Sequence, residues 1–205
     1  MEFTKYGITE TPKLIYNNPL ASESDIEGFV LEGTANISFP EGKLRMENGL
    51  SAAQGQEGQT TFLWCPKDFP SNVYIEWEFQ PLKEPGTAND LFFAAKGRNG
   101  EDLFDESLQP RTGEYPLYHH GDINAFHVSY FRRKEPDERS FHTCNLRKSY
   151  GFYLVAQGAD PIPDVADASK PYKLGLLKYE NQVRFFVNDL EVFNFNDDGT
   201  TYGPC

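Results

Sequence analysis

The sequence predicts an all-β protein, folded as a two-sheet antiparallel sandwich. Three observations carry that prediction. Apolar and polar residues alternate in short runs, as in strands that bury one face. Aromatic residues make up 15% of the chain, and 17 glycines with 14 prolines supply turns between the runs. No segment keeps a 3.6-residue or heptad period, and no repeat of fixed length appears. A length of 205 residues suits one large sandwich, so a single domain over residues 1–205 is expected.

The strand-like runs follow in order at 36–39, 43–47, 60–64, 73–80, 90–95, 124–132, 140–147, 151–157, 172–179, 182–188 and 191–195. Pro40-Glu41-Gly42, Glu180-Asn181 and Asn188-Asp189 are turn dipeptides and tripeptides that separate neighbouring runs. Residues 83–89 and 96–116 read as loops bordering a groove, and 160–170 as an irregular acidic stretch with one helical turn. In 73–80 the period of two sends Ile75, Trp77 and Phe79 inward and Tyr74, Glu76, Glu78 and Gln80 outward. The same phase at 151–157 sends Phe152, Leu154 and Ala156 inward and leaves Tyr153 and Gln157 outside. Many half-apolar strands of this kind make a jelly-roll sandwich the expected architecture.

Charge and motifs exclude several functions. A net charge of -12 argues against nucleic acid, whose phosphates need a positive footprint. No run reaches the roughly 18 apolar residues of a membrane span. The N-terminal MEFTKYGITETPKL lacks an apolar signal core, so a cytoplasmic location is expected. Cys65, Cys144 and Cys205 are odd in number and without CxxC spacing, as expected of reduced thiols. P-loop, dinucleotide-binding and G-x-S-x-G patterns are all missing, so no cofactor is expected. His119, His120 and Asp122 lack dedicated metal-ligand spacing, and Asp197-Asp198 reads as a plain turn, so no metal is expected either.

The most informative stretch is YHHGDINAFHVSYFRRKEPDERSFHTCNLR, residues 118–147. It reads as a hairpin of two strands joined by a charged Pro-Asp loop. Phe126, Val128 and Tyr130 share one face with His142, Cys144 and Leu146, and pack a core. His127, Ser129, Asn145 and Arg147 share the other. Only an even-sum register keeps like faces together, for example His127 opposite Asn145. Imidazole, hydroxyl, amide and guanidinium groups on one face suggest the floor of a groove. If the 73–80 and 151–157 strands join that sheet, Glu76, Glu78, Tyr153 and Gln157 border the same groove, with His120 at its rim. Six of the 19 basic residues lie between Arg132 and Lys148; Lys134 and Arg139 read as a solvated tip. Arg147 beside His127, in an acidic protein, suits a carboxylate-bearing ligand.

The segment GDINAFHVSYFRRKEPDERSFHTCNLRKSYGFYLVAQGADPIP, followed by VRFFVNDLEVFNFNDDGTTYGP, resembles the YesU-like family of bacterial proteins. The resemblance implies a concanavalin A-like lectin/glucanase jelly roll and a role in degrading uronate-containing polysaccharides. Some relatives resemble dehydratases acting on unsaturated uronyl ends. After DDGTTYGP the family pattern continues with further strand sequence whereas this chain stops at Cys205, so a C-terminal strand is expected beyond it.

Dehydration at a uronyl group needs a cation or amides to hold the carboxylate, a base, and an acid to help hydroxide leave. Arg147 and Asn145 fit the first task, and His127 and Tyr153 the proton transfers, with Ser129, Glu76, Glu78, His120 and Gln157 as further substrate contacts. The expected function is therefore an oligosaccharide dehydratase, a carbon-oxygen lyase acting on an acidic oligosaccharide. The alternative is a non-catalytic carbohydrate-binding module on the same groove. A glycoside hydrolase is the weaker reading: Glu76 and Glu78 have compatible spacing, but an ExDxxE pattern is missing.

Overall fold

A computed structural model describes residues 3–50, 60–83, 89–133 and 142–199. Lys134, Arg139 and Ser140 of the hairpin tip, part of the 83–89 loop, and Cys205 lie outside the described residues. Contacts divide the chain into two units, Met1–Lys67 with Arg111–Tyr115, and Asp68–Pro110 with Pro116–Cys205.

The first unit holds four short strands, β1 (Val30–Glu32), β2 (Ala35–Ser38), β3 (Arg45–Asn48) and β4 (Phe62–Trp64). Strand β1 pairs antiparallel with β4, and β2 with β3. Glu32 organises this unit. It accepts two hydrogen bonds from Arg111, at 3.0 and 2.8 Å, and one from the Trp64 indole at 2.8 Å. Trp64 in turn stacks on Phe62, with ring centroids 5.5 Å apart. Strand β1 escaped the sequence reading because Val30-Leu31-Glu32 does not alternate.

The expected sandwich is built within the second unit. One sheet runs β12-β11-β10-β5 and the other β6-β7-β8-β9, all pairs antiparallel. Its strands are β5 (Val73–Phe79), β6 (Asn89–Gly97), β7 (Ile123–Tyr130), β8 (Thr143–Ser149), β9 (Tyr153–Ala159), β10 (Tyr172–Tyr179), β11 (Gln182–Val187) and β12 (Leu190–Asn196). Phe126, Val128, Tyr130, Cys144 and Leu146 from one sheet pack against Leu174, Leu176, Val183, Phe185 and Phe193 from the other. Ile75, Trp77 and Phe79 pack against this core, as the period of two predicts. Tyr130 is buried between Trp77, Phe79 and Phe185, and desolvation pushes its phenol pKa well up. Burial likewise pushes up the thiol of Cys144, and Cys65 and Cys144 are both free thiols.

Two buried cations tie this unit together. Lys148 is fully enclosed, its ammonium 2.7 Å from Asp197 and 5.4 Å from the centre of the Phe126 ring. Asp197 also accepts from the Gly199 amide at 3.0 Å, so the NDDG turn serves an internal ion pair. Arg133, 5% exposed, bonds Asp160 at 2.9 Å, Asp164 at 3.1 Å and the Ile162 carbonyl. The stretch 160–170 contains one turn, closed by the Ala168 amide on the Asp164 carbonyl at 3.1 Å. Among the described residues no helix is long and apolar enough to cross a membrane.

Two expectations about faces fail. Strand β5 pairs with β10, so Glu76 and Glu78 lie in the opposite sheet from the hairpin. The sequence marks which residues of a strand share a face, but not which sheet the strand joins. Phe152 and Leu154 also do not point inward. Leu146 pairs with Ala156 while Arg147 pairs with Leu154, leaving Val155 as an extra residue in a β-bulge. One inserted residue reverses the phase, so Ala156 faces the core and Leu154, 49% exposed, faces out.

Candidate functional site

The hairpin register has the even sum that keeps like faces together. His127 pairs with Arg147 and Ser129 with Asn145, two residues along from the example given above. Strands β6 and β9 extend both pairs across the sheet. One row of side chains therefore reads Asp90, Ser129, Asn145, Gln157, and the next reads Phe92, His127, Arg147, Leu154. Every residue in the two rows faces away from the sandwich core, because cross-strand partners share a side.

The first row is a hydrogen-bonded amide and hydroxyl surface. Gln157 donates to the Asn145 side-chain oxygen at 2.8 Å, and Thr143 approaches the same oxygen at 3.4 Å. Arg132 donates to the Thr143 hydroxyl at 3.2 Å. Ser129 and Asn145 are buried, whereas Gln157 is exposed.

The second row is aromatic and cationic. His127 is fully buried, stacked on Phe92 with centroids 4.5 Å apart and on Phe152 at 5.5 Å. The Arg147 guanidinium sits 4.4 Å from the Phe152 ring centre. Phe152 reaches this face because it follows the bulge phase and because Gly151 and Phe152 both adopt left-handed backbone angles, with φ of 107° and 61°. That turn is pinned by the Gly151 amide on the His119 carbonyl, at 2.8 Å, and by the Tyr150 amide on the Asn124 side chain, at 3.2 Å. A bulky residue at positive φ is uncommon, and such positions concentrate at functional sites.

A second set of rings continues from Phe152. His119 packs on Phe152 at 4.3 Å and meets His120 nearly at right angles, centroids 4.5 Å apart, with their Nδ1 atoms in hydrogen-bond contact. One of the two nitrogens must donate and the other accept. His120, which is exposed, packs against Tyr150 at 5.7 Å. Arg98 lies over the other end of the path, 4.2 Å from the Tyr150 ring centre.

The electrostatics hold both inner imidazoles neutral. Burial, then the Arg147 charge, then His119 pull the pKa of His127 down to about 3. For His119 burial, His120 and Arg147 act in that order, to about 4. Desolvation penalises the charged imidazolium, and a neighbouring guanidinium adds repulsion.

The structure thus gathers His127, Ser129, Asn145, Arg147 and Gln157 on one face, with His120 along the ring path. Tyr153 is not with them. It pairs with Lys148, opposite in phase to Arg147, and is 48% exposed. Glu76 and Glu78 are exposed on the other sheet, where Tyr74 donates to Glu76 at 3.0 Å. His142 is half-buried rather than fully enclosed, and its Nε2 has no hydrogen-bond partner among the described residues. Asp90 and Phe92 belong to the surface but were not singled out from sequence; His119 was weighed there only as a metal ligand, and Phe152 was expected in the core. In 90–93 the DLFF run is apolar on both sides of the strand, so alternation does not mark Phe92. No cluster of three or more metal-ligating side chains occurs among the described residues.

Residues 13–205 match the family described as Domain of unknown function (DUF1961). The chain belongs to that family. It is 49% identical over 190 residues to the uncharacterized protein YesU of Bacillus subtilis strain 168, covering 93% of this chain and 83% of that one. The resemblance read from the hairpin and C-terminal residues is therefore borne out. A crystal structure of a protein of unknown function with a galectin-like fold, from Bacillus subtilis, superposes with a TM-score of 0.84 at 48% identity, covering 93% of this chain and 83% of that one. The carbohydrate-binding module CBM66 from Bacillus subtilis gives a TM-score of 0.48 at 13% identity, over 83% and 80% of the two chains.

Proposed function

We propose that this protein binds carbohydrate on the outer face of the β6–β9 sheet, and that it selects sugars bearing a carboxylate. The observation that carries the reading is Arg147. Its guanidinium rests on Phe152, in register with His127 and one row from the Asn145–Gln157 amide pair. Hydroxyl, amide and cation on one sheet face match the hydroxyls and carboxylate of a uronate ring. A neutral His127 adds no competing charge, and its stacking between two rings steadies the Phe152 platform. Arg147→Ala is expected to weaken binding of uronate oligosaccharides by about 2 to 5 kcal/mol if the pair is desolvated, and to leave neutral oligosaccharides nearly unaffected. Titration calorimetry reads both; equal losses for the two ligand types would refute the carboxylate role.

A second reading, dehydration of unsaturated uronyl ends, is favoured by one feature, the His119–His120 contact. The two imidazoles are in hydrogen-bond contact, and a neutral His119 keeps a nitrogen lone pair that can take a proton while His120 serves as its partner. In that reaction an imidazole takes the C–H proton, the freed electron pair forms the double bond, and hydroxide leaves with the partner's proton as water. Incubation with an unsaturated uronyl oligosaccharide tests it by product mass. Loss of one water supports the enzyme; ligand bound at unchanged mass leaves the binding module.

A further inference from the structure

The outer face of the β6–β9 sheet carries a second guanidinium besides Arg147, and a break in alternation puts it there. By parity Phe131 should follow His127 and Ser129 onto that face. Instead it is fully buried in the sandwich core, packed on Phe79 with centroids 5.8 Å apart, and its φ is 47°. Left-handed backbone at so bulky a residue is uncommon and concentrates at functional sites. The Arg133 guanidinium lies 4.6 Å from the Phe131 ring centre and donates to the Arg132 carbonyl at 2.9 Å, which holds the break in place. With Phe131 and Arg133 both directed inward, Arg132 between them emerges on the outer face. There its guanidinium donates to the Thr143 hydroxyl at 3.2 Å.

Strand register fixes where this cation stands relative to Arg147. Thr143, Asn145 and Arg147 are alternate residues of β8 and share one face. Positions 143 and 147 lie about 13 Å apart at the usual strand rise. Between them Thr143 donates to the Asn145 side-chain oxygen at 3.4 Å, and Gln157 donates to the same oxygen at 2.8 Å. The Arg147 guanidinium leans away from this amide pair, over Phe152. The two cations therefore bracket the pair, farther apart than one carboxylate can bridge. Asp90, the carboxylate of the Asn145 row, stands on β6, two strands from the β8 line.

A guanidinium suits a carboxylate because two parallel N–H bonds match its two oxygens. It carries five N–H donors, so a bond to one hydroxyl orients the group without saturating it. The geometry points to a second carboxylate position at Arg132, so that the face takes an oligouronate lying along β8. One uronate sits at Arg147 and another at Arg132, with sugar residues between them on the Asn145–Gln157 amides. This rests on the carbohydrate-binding reading given above. Two anchors on one ligand raise affinity because the first fixes a high effective concentration of the second.

The test uses the whole chain and titration calorimetry with galacturonic acid, which has one carboxylate, and linear tetragalacturonic acid. Wild type is expected to bind the tetramer at least about tenfold more tightly than the monomer. Arg132→Ala is expected to remove most of that gain and to leave the monomer unchanged, whereas Arg147→Ala weakens both. Equal losses for the two sugars in Arg132→Ala, no loss for either, or a tetramer no tighter than the monomer overturn the second position. The carbohydrate reading then still stands if Arg147→Ala weakens both sugars. If wild type binds neither sugar, or Arg147→Ala changes nothing, that reading falls and takes the second position with it. Should Arg132→Ala lose its folded circular dichroism spectrum, Thr143→Val decides. It removes the hydroxyl that orients Arg132 and is expected to weaken the tetramer alone; without that selective loss the second position is overturned.

Discussion

Replacing His127 with phenylalanine should remove a specific part of the protein's acid sensitivity. The imidazole is fully buried, and its pKa falls from 6.5 to about 3 on folding. A lowered pKa means that the unfolded chain binds more protons than the folded one between those values, so stability rises with pH across that window. Equivalently, stability drains as pH falls through 6.5 and levels off only below about 3. Each pKa unit is worth about 1.4 kcal/mol, so between pH 7 and pH 4 this one residue should remove about 3 kcal/mol. His127→Phe keeps an aromatic ring between Phe92 and Phe152 but carries no proton to bind. Whatever packing penalty the larger ring brings applies at both pH values and cancels in the difference. Urea denaturation of wild type and variant at pH 7 and pH 4 supplies the four free energies. The wild type should lose about 3 kcal/mol more than the variant between the two pH values. Equal losses would refute the reasoning, and would mean that His127 is hydrated or protonated in the folded state.

Other perturbations test the framework around the site. Arg133→Met strands the Asp160 carboxylate, whose side chain is 0% exposed, and should destabilise by about 3 to 5 kcal/mol in urea melts. Adding Asp160→Asn should recover part of that loss. Gly158→Ala drives a methyl into the Val192 carbonyl oxygen, where β9 approaches β12; a penalty of about 1 to 3 kcal/mol should appear as a lowered Tm.

Much of the fold was legible because it depends on local alternation. Eleven strand-like runs anticipate β2 to β12, and the 172–179 run matches β10 at both ends. The inward set Phe126, Val128, Leu146 follows directly from a period of two. What escaped the reading is what alternation does not encode. Val155 looks like any strand valine, yet as the bulged residue it turns Phe152 and Leu154 from expected core into surface. Strand β5 carries a clear face pattern but no mark of its partner, so Glu76 and Glu78 were placed beside the wrong strands. Arg133 shows a third limit. In sequence it belongs to a basic cluster at a hairpin, while in three dimensions two aspartates and a carbonyl some thirty residues later enclose it. His119 and Phe152 come together through the 149–152 turn, whose geometry depends on two residues at positive φ.

The Lys148–Asp197 pair bears on the order in which the sandwich assembles. The two partners are 49 residues apart, and Asp197 follows the last described strand. Taking a bare ammonium out of water without its counter-charge costs several kcal/mol. Closing the sandwich over Lys148 is therefore expected to be favourable only once residue 197 is in place. On that expectation the aspartate fastens the finished sandwich rather than nucleating it. In kinetic terms, Asp197→Asn should leave the refolding rate nearly unchanged and accelerate unfolding, the signature of a contact made after the rate-limiting step.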